Sequence, residues 1–253
     1  MRILLCNDDG IDAAGLAALA AEIKKIAEVT VVAPEREHSA VGHAITLSDP
    51  LRVNEYHKNG EFFGWAVSGT PADCVKIAIC ALLDRKPDLV ISGINQGSNT
   101  GINTIYSGTV SAATEGRIND IPSFAISLTS YTYKEFGPAA RFAARFAPQY
   151  LALDLPKGVF FNINIPALPE AEIKGVKFTR QGQANYIEIF HRRFDPKGRV
   201  YFWMDGERTA EEDDFNIDER AVKAGYISVT PIHYDLTHYA TLERLSSQLN
   251  LLS

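Results

Sequence analysis

Short runs of apolar residues alternate with amphipathic segments along about the first two-thirds of the chain. The first run covers residues 3–6, and four further runs follow at 29–33, 88–91, 122–127 and 159–166. Short apolar runs that end in turn residues are typical of strands buried on both faces of a parallel sheet. Segments of helical character lie between the runs, at 12–27, 74–83, 110–118 and 137–153. The alternation predicts βαβ units with right-handed crossovers, and therefore an α/β fold with a mostly parallel sheet.

Two local signals predict where elements begin and end. Thr70 is a favoured helix N-cap, Pro71 suits the first helical position, and Asp73 suits the positive end of the helix dipole. Asn59-Gly60 is a strong hairpin signal, so we expect two short strands on either side of this turn within residues 44–67.

The pattern changes from about residue 174 to the alternation of exposed strands. Segments 185–194 and 199–204 flank a turn at 195–198, which predicts a protruding β-hairpin. The leucines at 242, 245, 249 and 252 predict an amphipathic helix over residues 241–252. We expect one domain over residues 1–253, in which residues 174–253 offer apolar surfaces to a partner.

Composition and charge narrow the class of protein. The net charge of −6 argues against a broad nucleic-acid-binding surface. No apolar run approaches the ~20 residues that cross a bilayer, and the chain enters a strand at once, so we expect neither a membrane span nor a signal peptide. Three cysteines, all in apolar surroundings, predict reduced, buried thiols in a cytoplasmic protein.

Oxygen-bearing side chains follow several of the predicted strands. Asp8 and Asp9 end the first strand, Ser39 lies in the loop after the second, and Asn95 follows the third. Ligands bind outside the carboxyl ends of strands in such sheets. Adjacent carboxylates repel each other unless a cation neutralises them, and hard oxygen donors suit Mg²⁺ or Mn²⁺. The alternative is that the two aspartates only cap the next helix.

Residues 92–109 form a second candidate for function. Gly, Asn, Ser and Thr make up 13 of these 18 positions, and a long loop without an apolar period is usually functional or disordered. A predicted helix follows, and its N-terminus would present free N–H groups to an anion. We therefore predict that Ser107 and Thr109 hold a phosphate. The alternative, that they only cap the helix, is compatible with this role.

The sequence closely resembles the SurE family, the survival protein E nucleotidases. The matching segments run in family order over almost the whole chain: ILLCNDDG at 3–10, AP at 33–34 with Ser39, SGTPADCV at 68–75, SGIN at 92–95, YSGTV at 106–110, NINIP at 162–166 and GYISVTP at 225–231. One departure is visible, because Ser111 stands where the family pattern has glycine.

The resemblance implies a Rossmann-like core and a divalent-metal phosphomonoesterase that acts on nucleoside 5′- and 3′-monophosphates, with short polyphosphate as a further candidate substrate. It implies one Mg²⁺ or Mn²⁺ per subunit, and homodimers or homotetramers built through the hairpin and C-terminal exchange. By position, the metal ligands are Asp8, Asp9, Ser39 and Asn95, of which Asp8, Asp9 and Asn95 are also the catalytic set. The phosphate neighbours are Asn7, Ser107, Gly108 and Thr109. Asp235 and His238 are candidates for shaping the site.

Several alternatives stay open. The nucleophile is either a metal-activated water or Asp8 itself. A dinucleotide-dependent oxidoreductase shares the βαβ opening but needs a Gly-x-Gly-x-x-Gly turn where NDDGID stands at 7–12. A phosphorylation-receiver module also begins with an acidic pair, but it needs an acceptor Asp after the third strand, where SGIN stands.

Overall fold

The computed structural model of the chain describes residues 1–183, 186–208 and 213–248. Its strands are β1 (Arg2–Cys6), β2 (Glu28–Pro34), β3 (Val53–Lys58), β4 (Glu61–Val67), β5 (Leu89–Gln96), β6 (Ser123–Leu128), β7 (Val159–Ile165), β8 (Val176–Phe178), β9 (Tyr186–Phe194), β10 (Val200–Arg208) and β11 (Ile227–His233). Its α-helices are α1 (Ala14–Ile23), α2 (Pro71–Ile77), α3 (Asn103–Tyr106), α4 (Gly108–Ile118), α5 (Gly137–Leu151), α6 (Asp218–Lys223) and α7 (Tyr239–Gln248).

Nine strands form one sheet in the order β3-β4-β2-β1-β5-β6-β7-β11-β8. The neighbours from β4 to β7 are all parallel, whereas β3 pairs with β4, and β11 with β7, in the antiparallel sense. The prediction of a mostly parallel sheet is therefore confirmed. From β1 the chain first builds outward through β2 and later returns to add β5 on the other side. Such a reversal leaves a crevice at the carboxyl ends of these strands, where α/β proteins bind ligands.

Helices cover both faces of the sheet and explain the uninterrupted apolar runs. Along β1, Ile3 and Leu5 pack into a core with α1 and α5, while Leu4 and Cys6 pack into a second core with α2 and α4. Because successive side chains of a strand point to opposite faces, a strand covered on both faces needs apolar residues at every position.

Both local boundary signals are confirmed. The Thr70 hydroxyl accepts a hydrogen bond from the Asp73 backbone N–H, and the Asp73 carboxylate accepts one from the Thr70 backbone, so that a capping box starts α2. Asn59 and Gly60 adopt left-handed backbone conformations between β3 and β4. The turn thus has the backbone that an Asn-Gly hairpin requires.

Other expectations need correction. Asn95 lies within β5, which runs on to Gln96, and the segment 92–109 also contains the helix α3. The predicted helix over 74–83 changes at Ala78 to a π-helical turn. Cys80 is exposed, although Cys6 and Cys74 are buried as expected.

The two-stranded hairpin of β9 and β10 is present, and α7 begins two residues before the predicted position. Leucines 249 and 252 of the predicted terminal helix, and residue 185 of the predicted hairpin, lie outside the described residues. Within the described ranges, every helix is too short or too polar to cross a bilayer.

Candidate active site

One open cleft of about 800 Å³ lies at the carboxyl ends of β1 and β5. Its lining contains all four predicted metal ligands: Asp8, Asp9, Ser39 and Asn95. They come from three separate stretches of sequence, namely the end of β1, the loop after β2 and the end of β5. The topology of the sheet brings these stretches together, because parallel strands end at the same edge.

Asp8 is buried and is held by the start of α4. The Thr109 hydroxyl donates a hydrogen bond to Asp8 Oδ1, and the Thr109 backbone also bonds this carboxylate. Burial raises the pKa of Asp8 above its usual value, and these hydrogen bonds only partly oppose that effect. Gly108 packs directly on the aspartate, because a Cβ added to Gly108 would lie 2.7 Å from Asp8 Cβ.

Asp9 is half-buried beside Asp8. The backbone N–H of Gln96 donates to Asp9 Oδ2 at 3.1 Å. Burial, followed by the negative charge of Asp8, raises the pKa of Asp9 to about 7. A bound cation would offset both effects, since it replaces the lost water and neutralises the neighbouring charge.

Asn95 and Ser39 supply uncharged oxygens to the same cleft. The Asn95 amide donates from Nδ2 to the Gly97 carbonyl at 2.8 Å, which leaves Oδ1 as the oxygen available to a ligand. Ser39 is exposed, and its hydroxyl donates to the Glu37 carboxylate. A hydroxyl that donates its proton keeps its lone pairs available for a cation.

The four predicted phosphate neighbours take up different places around Asp8. Ser107 lines the cleft, and its hydroxyl caps α4 by accepting from the Val110 N–H at 3.1 Å. Thr109 is fully buried against Asp8. Asn7 is also buried: its Nδ2 donates to the Gly10 carbonyl at 3.0 Å, and its Oδ1 has no hydrogen-bond partner among the described residues.

Several residues of the cleft were not among the site residues predicted from the sequence. They are two aromatic side chains, three carboxylates and one thioether: Tyr106, Tyr131, Glu37, Glu188, Asp205 and Met204. Three of them belong to the hairpin of β9 and β10. The hairpin itself was predicted from the alternating pattern, but alternation does not reveal that one end of it reaches the cleft.

Asp235 and His238 lie outside the lining of the cleft in this chain. The Tyr239 hydroxyl and the Thr237 backbone N–H both donate to Asp235, and the hydrogen bond from Tyr239 is the main cause that lowers the pKa of Asp235 to about 2. His238 Nδ1 accepts from the Thr241 N–H at 3.2 Å. Both residues therefore organise the start of α7.

The donor set fits a hard divalent cation. Two carboxylates, a hydroxyl and a carboxamide offer only oxygen ligands, which Mg²⁺ and Mn²⁺ prefer. No group of three or more His, Cys, Asp or Glu side chains with metal-site geometry occurs in the described part of the chain. Two carboxylates match the charge of a single divalent ion. The pKa of Asp9 is raised first by burial and then by the charge of Asp8, and the charge of Lys134 offsets only part of this rise.

Comparisons with known proteins give the family to which the chain is similar. The family model for survival protein SurE matches residues 3–188. The chain is 51% identical over 245 residues to the 5'-nucleotidase SurE of Syntrophobacter fumaroxidans, covering 97% of this chain and 98% of that one. It is 53% identical over 254 residues to the 5'-nucleotidase SurE of Syntrophus aciditrophicus, covering 99% and 94%. The crystal structure of the SurE protein from Aquifex aeolicus superposes with a TM-score of 0.85 at 40% identity, covering 98% and 99% of the two chains.

Proposed function

This chain belongs to the SurE family, and we propose that it is a divalent-metal-dependent nucleotidase, a phosphomonoesterase that releases phosphate from nucleoside monophosphates. The observation that carries the proposal is the packing of the α4 N-terminus on Asp8, the first residue of the acidic pair Asp8-Asp9. Ser107 and Asp8 share one cleft, and Gly108 and Thr109 contact Asp8 directly. A cation held by the pair would therefore lie beside a helix N-terminus, where anions bind.

The charge of the cleft makes a cation necessary for this chemistry. Five carboxylates line it, from Asp8, Asp9, Glu37, Glu188 and Asp205, and its described lining contains no Lys or Arg. A phosphate dianion would be repelled from such a surface. One divalent ion bound to Asp8 and Asp9 would neutralise these two carboxylates and present a positive centre to which a phosphate oxygen can bind.

Asp8, Asp9, Ser39 and Asn95 would hold the cation. When bound, Mg²⁺ or Mn²⁺ polarises phosphorus–oxygen bonds and lowers the pKa of water. The Ser107 hydroxyl would orient the phosphate at the N-terminus of α4. Thr109 and Gly108 would keep Asp8 in position, and the buried Asn7 would support the same turn. Water is our proposed nucleophile, and Asp8 is the alternative within this site.

The preferred substrates are 5′-monophosphates, in line with the names of the relatives, with 3′-monophosphates as a second class. The carboxylates of Glu37, Glu188 and Asp205 disfavour additional phosphate groups, since one divalent ion compensates only the charge of the acidic pair. We therefore expect short polyphosphate and nucleoside triphosphates to be poorer substrates than monophosphates.

We also propose a homodimer or homotetramer, built through residues 174–253. The hairpin exposes Phe190, Phe202, Trp203 and Met204, and α7 exposes Leu242. Large apolar side chains exposed in this number usually mark an interface. Light scattering should give a mass of two or four chains for the wild type, and a lower mass for the Phe202→Ser, Trp203→Ser double variant. A monomeric wild type would contradict the proposal.

The central test measures the release of inorganic phosphate from nucleoside monophosphates. Purified protein should be active with Mg²⁺ or Mn²⁺ and inactive after chelation, and Asp8→Asn and Asn95→Ala should each weaken metal binding in a titration while the circular dichroism spectrum is retained. Activity that survives chelation would contradict the metal dependence. A lack of activity on every monophosphate tested would contradict the nucleotidase assignment.

A further inference from the structure

Two tyrosine side chains in the cleft are exposed and free of aromatic neighbours. Tyr131 is 77% exposed and Tyr106 is 57% exposed, yet both line the same cleft as the acidic pair. Neither ring stacks on another ring, and neither hydroxyl is hydrogen-bonded, within residues 1–183, 186–208 and 213–248. A large aromatic surface that faces a polar cleft is available to stack on a planar ligand.

The position of Tyr131 is fixed by its surroundings. Its ring lies directly over Gly97, because a Cβ added there would come within 2.6 Å of Tyr131 Cε1. The Gln96 side chain donates from Nε2 to the Tyr131 carbonyl at 2.6 Å, and Lys134 Nζ donates to Gln96 Oε1 at 2.8 Å. The side-chain amide of Gln96 therefore holds residues 131–134 at the end of β5, because its nitrogen bonds Tyr131 and its oxygen bonds Lys134.

Gln96 also links the tyrosine to the acidic pair. Its backbone N–H bonds the Asp9 carboxylate, while its side chain bonds the Tyr131 backbone. One residue therefore contacts both Asp9 and the backbone of the residue that carries the exposed ring, and Asp9 and Tyr131 line the same cleft. A nucleotide also presents two different groups to one cleft, a phosphate that a cation can bind and a planar base that a ring can stack on.

We propose that Tyr131 is the nucleobase platform of this cleft: its exposed ring, held over Gly97, stacks on the base of a nucleoside monophosphate whose phosphate lies at Asp8, Asp9 and Ser107. This inference rests on the proposed nucleotidase function and adds the residue that recognises the base. Stacking accepts every base, because each has a π-face, and it favours purines, whose larger rings cover more of the tyrosine.

Tyr106 takes a different position from Tyr131. It directly precedes Ser107, and its carbonyl accepts a hydrogen bond from the Gly42 N–H at 2.9 Å, so that it joins the start of α4 to the loop after β2. It is thus next to the place proposed for the phosphate. The base, at the other end of the substrate, is left to Tyr131.

The test compares Tyr131→Ala with Tyr131→Phe on substrates with and without a base. For adenosine monophosphate, the alanine variant should raise KM about tenfold and leave kcat within about twofold, because stacking contributes equally to ground-state and transition-state binding. The phenylalanine variant should match the wild type. Glycerol phosphate, which has no ring, should be hydrolysed equally by all three proteins. Phe62→Ala, an exposed aromatic residue on β4 outside the cleft, is the matched control and should change nothing.

Equilibrium dialysis with adenosine provides a readout that needs neither metal nor turnover. Binding should be about tenfold weaker in Tyr131→Ala than in the wild type and unchanged in Tyr131→Phe. Equal KM values and equal adenosine binding in wild type and Tyr131→Ala, or a stronger effect from Tyr106→Ala on adenosine binding, would overturn the platform. Failure of the proposed function would look different: the wild type itself would release no phosphate, while the dialysis would still decide whether Tyr131 binds the base.

Discussion

The hydroxyl of Thr109 donates a hydrogen bond to the carboxylate of Asp8, across 101 positions of sequence. This hydrogen bond joins the end of β1, where Asp8 lies, to the first turn of α4. Thr109 is fully buried, so water cannot replace this donor. The contact explains how a largely desolvated aspartate retains a defined orientation.

We expect Thr109→Val to lower kcat/KM for nucleoside monophosphates by about tenfold or more, because a buried hydrogen bond to a charged group contributes about 1.5–3 kcal/mol. Loss of the donor should also raise the pKa of Asp8 further, which shifts the acidic limb of the pH profile to higher pH. Thr109→Ser keeps the hydroxyl and should retain both properties. Steady-state kinetics between pH 5 and 9 would check this, and an unshifted profile in the valine variant would contradict it.

Gly108 should tolerate no side chain, because Asp8 occupies the space that a Cβ would need. Its backbone conformation is helical, but a Cβ would lie 2.7 Å from Asp8 Cβ and 3.0 Å from Asp8 Oδ2. Gly108→Ala should therefore displace Asp8 and weaken metal affinity by at least about tenfold, although alanine is the better helix former. Gly137→Ala in α5 is the control, since a Cβ there meets only the movable end of Arg141. Calorimetric metal titration of both variants measures the effect, and equal affinities would exclude the steric role of Gly108.

Because the pKa of Asp9 is raised, the stability of the metal-free protein should depend on pH. The pKa is about 7 in the folded chain against 3.8 as the ordinary value, so the folded state holds this proton more tightly than the unfolded state. The protonated Asp9 carboxyl therefore contributes stability to the folded protein that is fully present below about pH 3.8 and is lost as the pH rises through about 7. In a chelator, Asp9→Asn should therefore raise Tm at pH 8 by roughly 3–6 °C and have little effect at pH 4.

The same variant should lose the response of the wild type to metal. Added Mg²⁺ or Mn²⁺ should raise the Tm of the wild type at pH 8, because ligands that bind only the folded state stabilise it, and should leave Asp9→Asn nearly unchanged. Differential scanning calorimetry with and without chelator provides the comparison. If Asp9→Asn proved less stable than the metal-free wild type at pH 8, this would show that the negative charge of Asp9 does not destabilise the folded protein.

An ion-pair cluster around the buried carboxylate of Glu115 anchors the loop that carries Ser39. Glu115 of α4 accepts hydrogen bonds from Lys76 Nζ at 2.6 Å, His43 Nε2 at 3.0 Å and Asn119 Nδ2 at 2.9 Å. Burial alone would raise the pKa of Glu115, but the bonds from His43 and Lys76 outweigh it and lower the pKa. Because His43 lies four positions after Ser39, the cluster restrains the same loop.

Glu115→Ala should lower the free energy of unfolding by about 2 kcal/mol, a value reduced from that of a fully buried pair because Lys76 and His43 are partly exposed. Glu170→Ala is the matched control. Glu170 also pairs with two cations, Arg141 and Arg145, but all three side chains are exposed, so the loss should stay below about 1 kcal/mol. Urea denaturation measures both, and equal losses would show that burial of the cluster adds nothing.

The carboxylates of the hairpin should select against longer phosphate chains. Neutralising Glu188 and Asp205 together, as Glu188→Gln with Asp205→Asn, should raise kcat/KM for a nucleoside triphosphate several-fold relative to the monophosphate. The ratio should depend on salt, since exposed charges are screened. Competition between the two substrates in low and high salt measures the ratio, and an unchanged ratio would exclude electrostatic selection by the hairpin.

The alternating pattern was sufficient to predict the order and type of most elements. Strands such as β1 need apolar residues on both faces, and this requirement is visible locally as an unbroken run. Turn and cap chemistry was equally local, so that Asn59-Gly60 and the capping box at Thr70 followed from neighbouring residues. The acidic pair could be placed at a strand end for the same reason. The family resemblance supplied the expected activity and the roles of individual residues.

The sequence predicted that Asp8, Asp9, Ser39 and Asn95 come together, but it did not reveal the other residues that line the cleft. Asn95 proved to lie inside β5, Cys80 proved to be exposed, and the hairpin contributes Glu188 and Asp205 to the lining. Such contacts depend on how the strands are ordered and on where a long hairpin folds back, and neither leaves a periodic signal in the chain. The amino-acid sequence by itself thus determined the sheet, its helices and the acidic pair. Only the tertiary structure placed Thr109 on Asp8 and brought Tyr131 into the same cleft, because packing across 101 positions is decided by the whole fold.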